Sequence, residues 1–209
     1  MTERAFTFYS LDDGNQQELI LAPDYSQQWF DETNRKYNWE EFNAFDNKFW
    51  EYTYQLSYPL LEKSVSKELN YQEYFSLLNR GQKIFYCVLM FSDETDNGGV
   101  YQFFFNRPEF SFAVLESFRE LQLETLARDY AACLDELTNT ADSYNKRKER
   151  FNNEGKSWEQ RWQAFREGYG EMKAAAKIEA YFYDDGFKKE LYKTMVDYIE
   201  RNMSLFVKQ

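Results

Sequence analysis

Residues 96–106 read DNGGVYQFFFN and combine two adjacent glycines with a run of aromatic residues. Asn-Gly forms hairpin turns, but no alternating strands flank this one. Glycine accepts a positive φ angle and lets neighbouring backbones approach closely. The stretch therefore predicts a tight corner between two buried helices, in which Asp96 or Asn97 caps a helix that begins near Val100.

The residues after the glycines divide into three helical faces. Three of them share the face expected to be buried: Val100, Phe103 and Phe104. Tyr101 and Phe105 share a second face at a four-residue step. Gln102 and Asn106 have the same spacing, so their amides should align and bind loop carbonyls, because an unpaired buried amide is costly. This chemistry fits either a structural corner or part of a binding site.

Apolar residues recur at helical spacing away from this motif. The run IFYCVLMF (84–91) is short enough to be a buried strand or a buried helix. A helix is favoured because residues 82–94 contain no turn former. Before it, a helix over 66–80 should end at Gly81, since glycine is common just beyond a helix. Further helices are predicted over residues 38–58, 111–137 with a break near Gln122, 157–169, 173–183 and 187–207.

Together these patterns predict an all-α fold. Only 8 glycines and 3 prolines are present among 209 residues, which favours helices over a many-stranded sandwich. We expect a compact multi-helix domain over residues 66–209. An acidic, aromatic-rich extension over residues 1–65 should pack on it. This extension could include a short β-hairpin, formed by residues 5–11 and 18–22.

The charge of the chain is uneven. Net charge is −11, and residues 1–62 hold 12 acidic and 4 basic residues. Such a surface repels nucleic acid and favours a basic partner, although acidity also serves solubility. The candidate binding face consists of ten N-terminal carboxylates: Asp12, Asp13, Glu18, Asp24, Asp31, Glu32, Glu40, Glu41, Asp46 and Glu51. These acids could equally be the solvated side of amphipathic helices.

The motif resembles the central motif of a family of unknown function that includes a neisserial DNA-mimic protein. The resemblance extends from about Tyr71 to Asn202, and most of its specificity lies in eight positions: Glu94, Asn97, Gly98, Gly99, Gln102, Phe103, Phe104 and Asn106. The sequence departs from the family pattern at Val100, where phenylalanine is common, and in the turn at residues 107–109.

The resemblance implies an all-helical protein without known catalysis that is capable of forming a homodimer. It also implies a function as a DNA mimic, since surface carboxylates in the DNA-mimic member take the place of DNA phosphates. Duplex DNA carries about one charge per 1.7 Å of axis, so a mimic needs rows of carboxylates at comparable spacing. Because most of the N-terminal acids lie outside the matched region, their role does not follow from the resemblance.

Enzyme chemistry has little support in the sequence. The chain has no histidine, which removes the commonest general base and the histidine-dependent nucleophiles. No phosphate-binding or dinucleotide-binding motif is present. Two carboxylate clusters could hold a hard cation, Asp93 with Glu94 and Asp96, and Asp184 with Asp185, but helix ends and caps explain them more simply. We expect no enzyme, no metal and no cofactor.

The sequence therefore predicts an acidic cytoplasmic protein that binds a basic protein, with no direct nucleic acid and no membrane contact. A DNA mimic that sequesters a DNA-binding regulator or nucleoid protein is the first hypothesis. An immunity protein that neutralises a basic toxin is the second, and a Mg²⁺-dependent hydrolase is the third. The two cysteines, Cys87 and Cys133, lie in apolar stretches and are expected to be buried free thiols.

Overall fold

The fold is all-α. The computed structural model describes residues 8–13, 27–36, 71–139, 156–169 and 172–206, and these contain helices and no strand. The α-helices among them are α1 (Gln27–Lys36), α2 (Tyr71–Leu77), α3 (Arg80–Gly98), α4 (Val100–Asn106), α5 (Ser111–Glu120), α6 (Glu124–Asn139), α7 (Trp158–Tyr169), α8 (Ala175–Phe182) and α9 (Asp185–Arg201). Short 3-10 turns follow α4 and α9, at Pro108–Phe110 and Met203–Leu205.

The chain forms two compact units. Of the described residues, the first unit contains 8–9, 87–139, 156–169 and 172–183. The second unit contains 10–13, 27–36, 71–86 and 184–206. The boundary expected near residue 65 lies outside the described residues and stays a prediction.

The first unit is built around Phe91 of α3, which is fully buried. Its ring meets four others edge-on at centroid distances of 5.3–5.6 Å: Phe103, Phe118, Tyr130 and Phe182. Edge-to-face pairs of this kind add about 0.5–1.5 kcal/mol each beyond the area that they bury. The four partners come from α4, α5, α6 and α8, so one phenylalanine joins five helices.

Helix α3 begins with a reciprocal pair of hydrogen bonds. The Asn79 side chain accepts from the backbone N–H of Gln82 at 2.9 Å, and the Gln82 side chain accepts from that of Asn79 at 3.0 Å. This capping box satisfies two backbone donors at the helix start. Gly81 consequently lies inside α3, and the prediction that it ends the preceding helix was wrong. That helix, α2, already ends at Leu77.

The predicted helix for IFYCVLMF is confirmed, since the whole run lies in α3. Cys87 and Cys133 are buried thiols that form no disulfide, as expected.

The predicted break near Gln122 is confirmed as well. Gln122 has φ 58°, and the N–H groups of Gln122 and Leu123 donate to the carbonyls of Arg119 and Phe118 at 3.0 and 2.9 Å. This bond pattern is a Schellman motif, in which glutamine occupies the position that usually holds glycine.

Helices α6 and α8 are tied together by a buried carboxylate. Asp129 is 4% exposed, and its Oδ1 accepts from Arg128 Nε at 3.0 Å and from Lys177 Nζ at 2.8 Å. The hydrogen bond from Arg128, with help from Lys177, holds the pKa of Asp129 below its ordinary value despite burial. The ion pair fixes α8, which carries Glu179 towards the glycine motif.

Of two predictions for the N-terminal part, one falls partly on described residues and the other lies wholly outside them. Residues 8–11, the described part of the predicted hairpin, form no strand, and the rest of the hairpin lies outside the described residues. The helix predicted over 38–58 also lies outside them. Within the described residues, no helix is both long enough and apolar enough to cross a membrane.

Candidate functional site

The two glycines of the motif form the predicted corner between α3 and α4. Gly99 has φ 83° and ψ 172°, a region of backbone space that is essentially restricted to glycine. A Cβ atom on Gly98 would lie 1.9 Å from Oε1 of Gln102. Gly99 therefore requires glycine for its dihedral angles, while a side chain at position 98 would displace the end of the Gln102 side chain.

Helix α4 is capped from a distant part of the chain. Its first residue, Val100, donates its backbone N–H to Oε1 of Glu179 at 2.8 Å, while Gly99 provides no side chain. The expected cap from Asp96 or Asn97 was wrong, because α3 continues through both and leaves them exposed. A carboxylate at this helix start also complements the helix dipole.

The amides of the motif converge on Glu94. Oε2 of Glu94 accepts from Gln102 Nε2 at 2.9 Å and from Asn106 Nδ2 at 2.7 Å, and Oε1 lies 3.4 Å from Arg107 Nε. The amides were expected to bind loop carbonyls, and this was wrong. A carboxylate is the stronger acceptor, since hydrogen bonds to a charged group are about twice as strong as neutral ones.

The phenylalanines of the motif belong to the core. Phe103 and Phe104 are 0% and 3% exposed, and the Phe104 ring stacks on Tyr130 at 5.4 Å. On the other side of α4, the rings of Tyr101 and Phe105 lie 6.1 Å apart, as the four-residue spacing predicted. The helix is therefore held on two sides by aromatic packing and on a third by Glu94.

This arrangement decides what the motif can do. The Glu94 side chain is 14% exposed, accepts hydrogen bonds from two amides of its own unit and forms an ion pair with Arg107. A carboxylate so occupied has little capacity left for a ligand. Of the eight positions that carry the family resemblance, only Asn97 and Asn106 are exposed. The geometry is that of a structural joint which positions α4 against α3 and α8.

The carboxylates around the joint are crowded. The pKa of Asp93 is raised to about 6 by burial of the carboxyl and by the charges of Asp96 and Glu94. Nearby, the hydroxyl of Tyr183 donates to the Thr95 carbonyl at 2.9 Å. Among the described residues, neither Asp93 with its neighbours nor Asp184 with Asp185 forms a group of three or more ligands placed to hold a metal ion. Asp184 instead caps α9, accepting from the backbone of Phe187 at 2.9 Å.

Four members of the candidate acidic face are described, all in the second unit. Asp12 pairs with Arg80 at 2.7 Å, and Asp13 accepts from the backbone N–H of Ser10 at 2.7 Å. Asp31 and Glu32 are exposed on α1, where Gln28 donates its amide to Glu32 at 2.8 Å. The other six lie outside the described residues: Glu18, Asp24, Glu40, Glu41, Asp46 and Glu51.

A buried lysine supports the Asp12–Asp13 turn, and sequence reasoning missed it. Lys83 is 1% exposed, and its ammonium donates to the backbone carbonyls of Leu11 and Asp13. It also lies 5.3 Å from the centre of the Phe75 ring. The sequence signal for this buried lysine was a single cation directly before the apolar run at 84–91. A charged group in an apolar stretch must find buried acceptors.

Comparison with known proteins gives one positive result. Residues 76–202, more than half of the chain, match the DMP19-like protein family. No curated protein and no solved structure matches the chain. The matched region contains the glycine corner, Glu94, its three partners and Glu179. The chain therefore belongs to the DMP19-like protein family.

Proposed function

We propose that this protein is a non-catalytic interaction protein that binds a basic partner, and that it acts as a DNA mimic which sequesters a DNA-binding protein. The observation that carries the proposal is the concentration of charge, with 12 acidic and 4 basic residues in the first 62. Membership of the DMP19-like family supports it.

The acids of α1 are two of the four described members of the candidate binding face. Asp31 and Glu32 are exposed, and the amide of Gln28 restrains Glu32. A restrained carboxylate loses less side-chain entropy when a partner binds. Arg35 and Lys36 at the end of the same helix lie where cations favour the helix dipole. This helix presents its negative charge nearer to its middle.

Asp12 contributes to binding when the basic partner replaces Arg80 in its ion pair. It is paired with Arg80, but its side chain is 88% exposed and that of Arg80 is 43% exposed. Surface pairs of this kind are worth about 0–1 kcal/mol, so a basic partner can replace Arg80 at small cost. The Lys83 contacts keep the turn in place while this exchange occurs, since they involve backbone carbonyls and leave the carboxylates outside.

Affinity capture from the native host's lysate tests the proposal. The tagged protein is incubated with lysate, with or without duplex DNA, and eluted with a salt step. The proposal predicts that a basic DNA-binding protein elutes at moderate salt and is displaced by the DNA, because both compete through counterion release. Capture of a basic toxin that DNA does not displace would instead favour the immunity-type role. Capture of no basic protein would contradict both.

The absence of catalysis is part of the proposal and has its own test. A hydrolase that uses carboxylates and Mg²⁺ would gain stability from the ion, because a ligand that binds only the native state raises the melting temperature. We expect millimolar Mg²⁺ or Mn²⁺ to leave the melting temperature unchanged beyond the effect of matched ionic strength. A saturable, metal-specific rise would contradict this part.

A further inference from the structure

Helix α7 carries a column of parallel aromatic rings. Trp158 and Trp162 lie 6.0 Å apart with 10° between their planes, and Trp162 and Phe165 lie 5.5 Å apart with 15°. The spacing of three and four residues places all three rings on one side of the helix. The sequence signalled the stripe but not its parallel stacking.

The inner end of the column rests on the motif helix. The Phe165 ring meets Phe105 of α4 edge-on at 5.2 Å and lies 5.5 Å from the Tyr101 ring. Since α4 is fixed by Glu94 and Glu179, the column has a rigid base. The glycine motif thus positions the aromatic column of α7, which lies outside the motif.

The outer end of the column is open. Trp158 is 68% exposed and Trp162 is 46% exposed, although tryptophan is usually well buried. Among the described residues, only these two and Tyr183 are large hydrophobic side chains with such exposure. Two adjacent exposed indoles on a rigid base indicate a contact surface, because burying them on binding gains free energy while little order is lost.

Two exposed arginines flank the rings. At 100° per residue, Arg161 lies on one side of the stripe and Arg166 on the other, and both are exposed. The two acids of α7 accept from neutral donors: Glu159 from the Ser157 hydroxyl at 2.7 Å and Glu167 from the Gln163 amide at 2.9 Å. The hydrogen bond from Ser157 also lowers the pKa of Glu159. The rings offer a stacking surface and the two guanidinium groups can pair with phosphate, so a planar group that carries a phosphate fits both features.

We propose that this face of α7 binds single-stranded nucleic acid, with a base stacked on Trp158 and the backbone phosphates paired with Arg161 and Arg166. Aromatic rings beside cations are the features by which proteins bind single strands without reading their sequence. The sequence alone led us to expect no direct nucleic acid binding, because the acidic chain seemed to lack a cationic groove. The proposal goes beyond mimicry, which concerns carboxylates of the second unit.

Fluorescence anisotropy of a labelled oligothymidine of about 15 nucleotides tests the proposal, since such a strand spans a typical site of roughly 4–16 nucleotides. We expect the full chain to bind it at low salt. Trp158→Ala should weaken binding about 5- to 150-fold, the range for loss of one stacked base, while Trp158→Phe retains most of it. Arg161→Gln with Arg166→Gln should reduce the salt slope by roughly 1.4, which corresponds to two phosphate contacts on a single strand.

Arg119→Gln is the control for loss of one positive charge, because Arg119 is an exposed cation of α5 in the same unit. It should leave the affinity within about twofold. Circular dichroism melting of each variant checks that the fold is retained. An abasic strand should bind more weakly than oligothymidine in proportion to the lost stacking.

Three results would overturn the proposal. The first is absence of binding at low salt. The second is equal affinity for the abasic strand, which would reduce the interaction to charge alone. The third is displacement of the strand by polyglutamate at the same charge concentration, which would identify the face as a site for an acidic protein.

Discussion

Glu94 and the carboxylates of α1 are the same chemical groups in opposite situations. Glu94 accepts from two amides, pairs with Arg107 and is 14% exposed, whereas Asp31 and Glu32 are exposed to solvent. The first kind of acid holds a fold together, and the second kind can meet a partner. An acidic protein is therefore understood from which of its carboxylates are buried within the fold and which are exposed. Their total number is less informative.

The largest effect should come from the corner that brings donors to Glu94. Gly99→Ala forces a Cβ into a backbone region reserved for glycine, and we expect a loss of about 3 kcal/mol in the free energy of unfolding. Chemical denaturation measures this loss. Asn97→Ala is the control, because Asn97 is exposed and caps nothing. It should change stability by less than about 0.5 kcal/mol. A loss near 1 kcal/mol in the control would mean that Asn97 does cap α4.

Removing the charge of Glu94 should have the next largest effect. Glu94→Gln replaces one acceptor oxygen with an amide that cannot accept, and it removes the charge opposite Arg107. We expect a loss of about 2 kcal/mol, the usual range for hydrogen bonds to a charged group. Glu32→Gln is the matched control on the exposed side, with an expected change below about 0.5 kcal/mol. Equal losses in the two variants would remove the distinction between occupied and exposed carboxylates.

Gln122 offers a stabilising change within the first unit. Its φ of 58° is unfavourable for a residue with a Cβ atom, and it occupies the glycine position of a Schellman motif. Gln122→Gly should raise the free energy of unfolding by roughly 0.5–1 kcal/mol. Gln122→Ala keeps the Cβ atom and should give no such gain. If both variants behave alike in urea, the residue does not adopt the left-handed conformation in solution.

Asp93 should show the smallest effect because the residue is exposed and solvent screens the neighbouring charges, and the effect depends on pH. Its pKa is raised to about 6 by burial and by Asp96 and Glu94, so the folded state binds its proton more tightly than the unfolded state. The resulting stabilisation is complete below the unfolded pKa, near 4, and is lost as pH rises through about 6. Asp93→Asn should therefore raise the melting temperature slightly at pH 7, with the gain disappearing near pH 4. A gain that is the same at both pH values would exclude this cause.

Local patterns predicted much of the fold. The period of apolar residues located α3, α4 and the break at Gln122, because these depend on which face is buried and on residues close in sequence. The position of Gly81 was misjudged although Asn79 and Gln82 carried a capping-box signal, since glycine was given more weight than a side-chain cap. The residues around Gly81 contained enough information to locate the start of α3. The rule for glycine at helix ends was applied in place of the rule for capping boxes.

The site was less predictable, for a physical reason. Gln102 and Asn106 meet Glu94 only because the backbone reverses at Gly99, and Glu179 reaches Val100 from 79 residues away. Neither partner follows from a helical period. The exposed state of Trp158 is equally inaccessible, since an aromatic stripe on a helix is normally its buried face. Sequence spacing shows which residues share a face. Tertiary packing determines which of those faces remain open.

The most direct test of the account is the salt-dependent affinity of two variants for the basic protein captured from the host lysate. One variant is Asp31→Asn with Glu32→Gln, and the other is Glu94→Gln, measured at a temperature where both are folded. The account predicts that the first variant weakens binding and flattens its salt dependence, while the second binds like the unmodified protein. Weaker binding by Glu94→Gln together with unchanged binding by the α1 variant would contradict it, and would place the partner at the glycine corner.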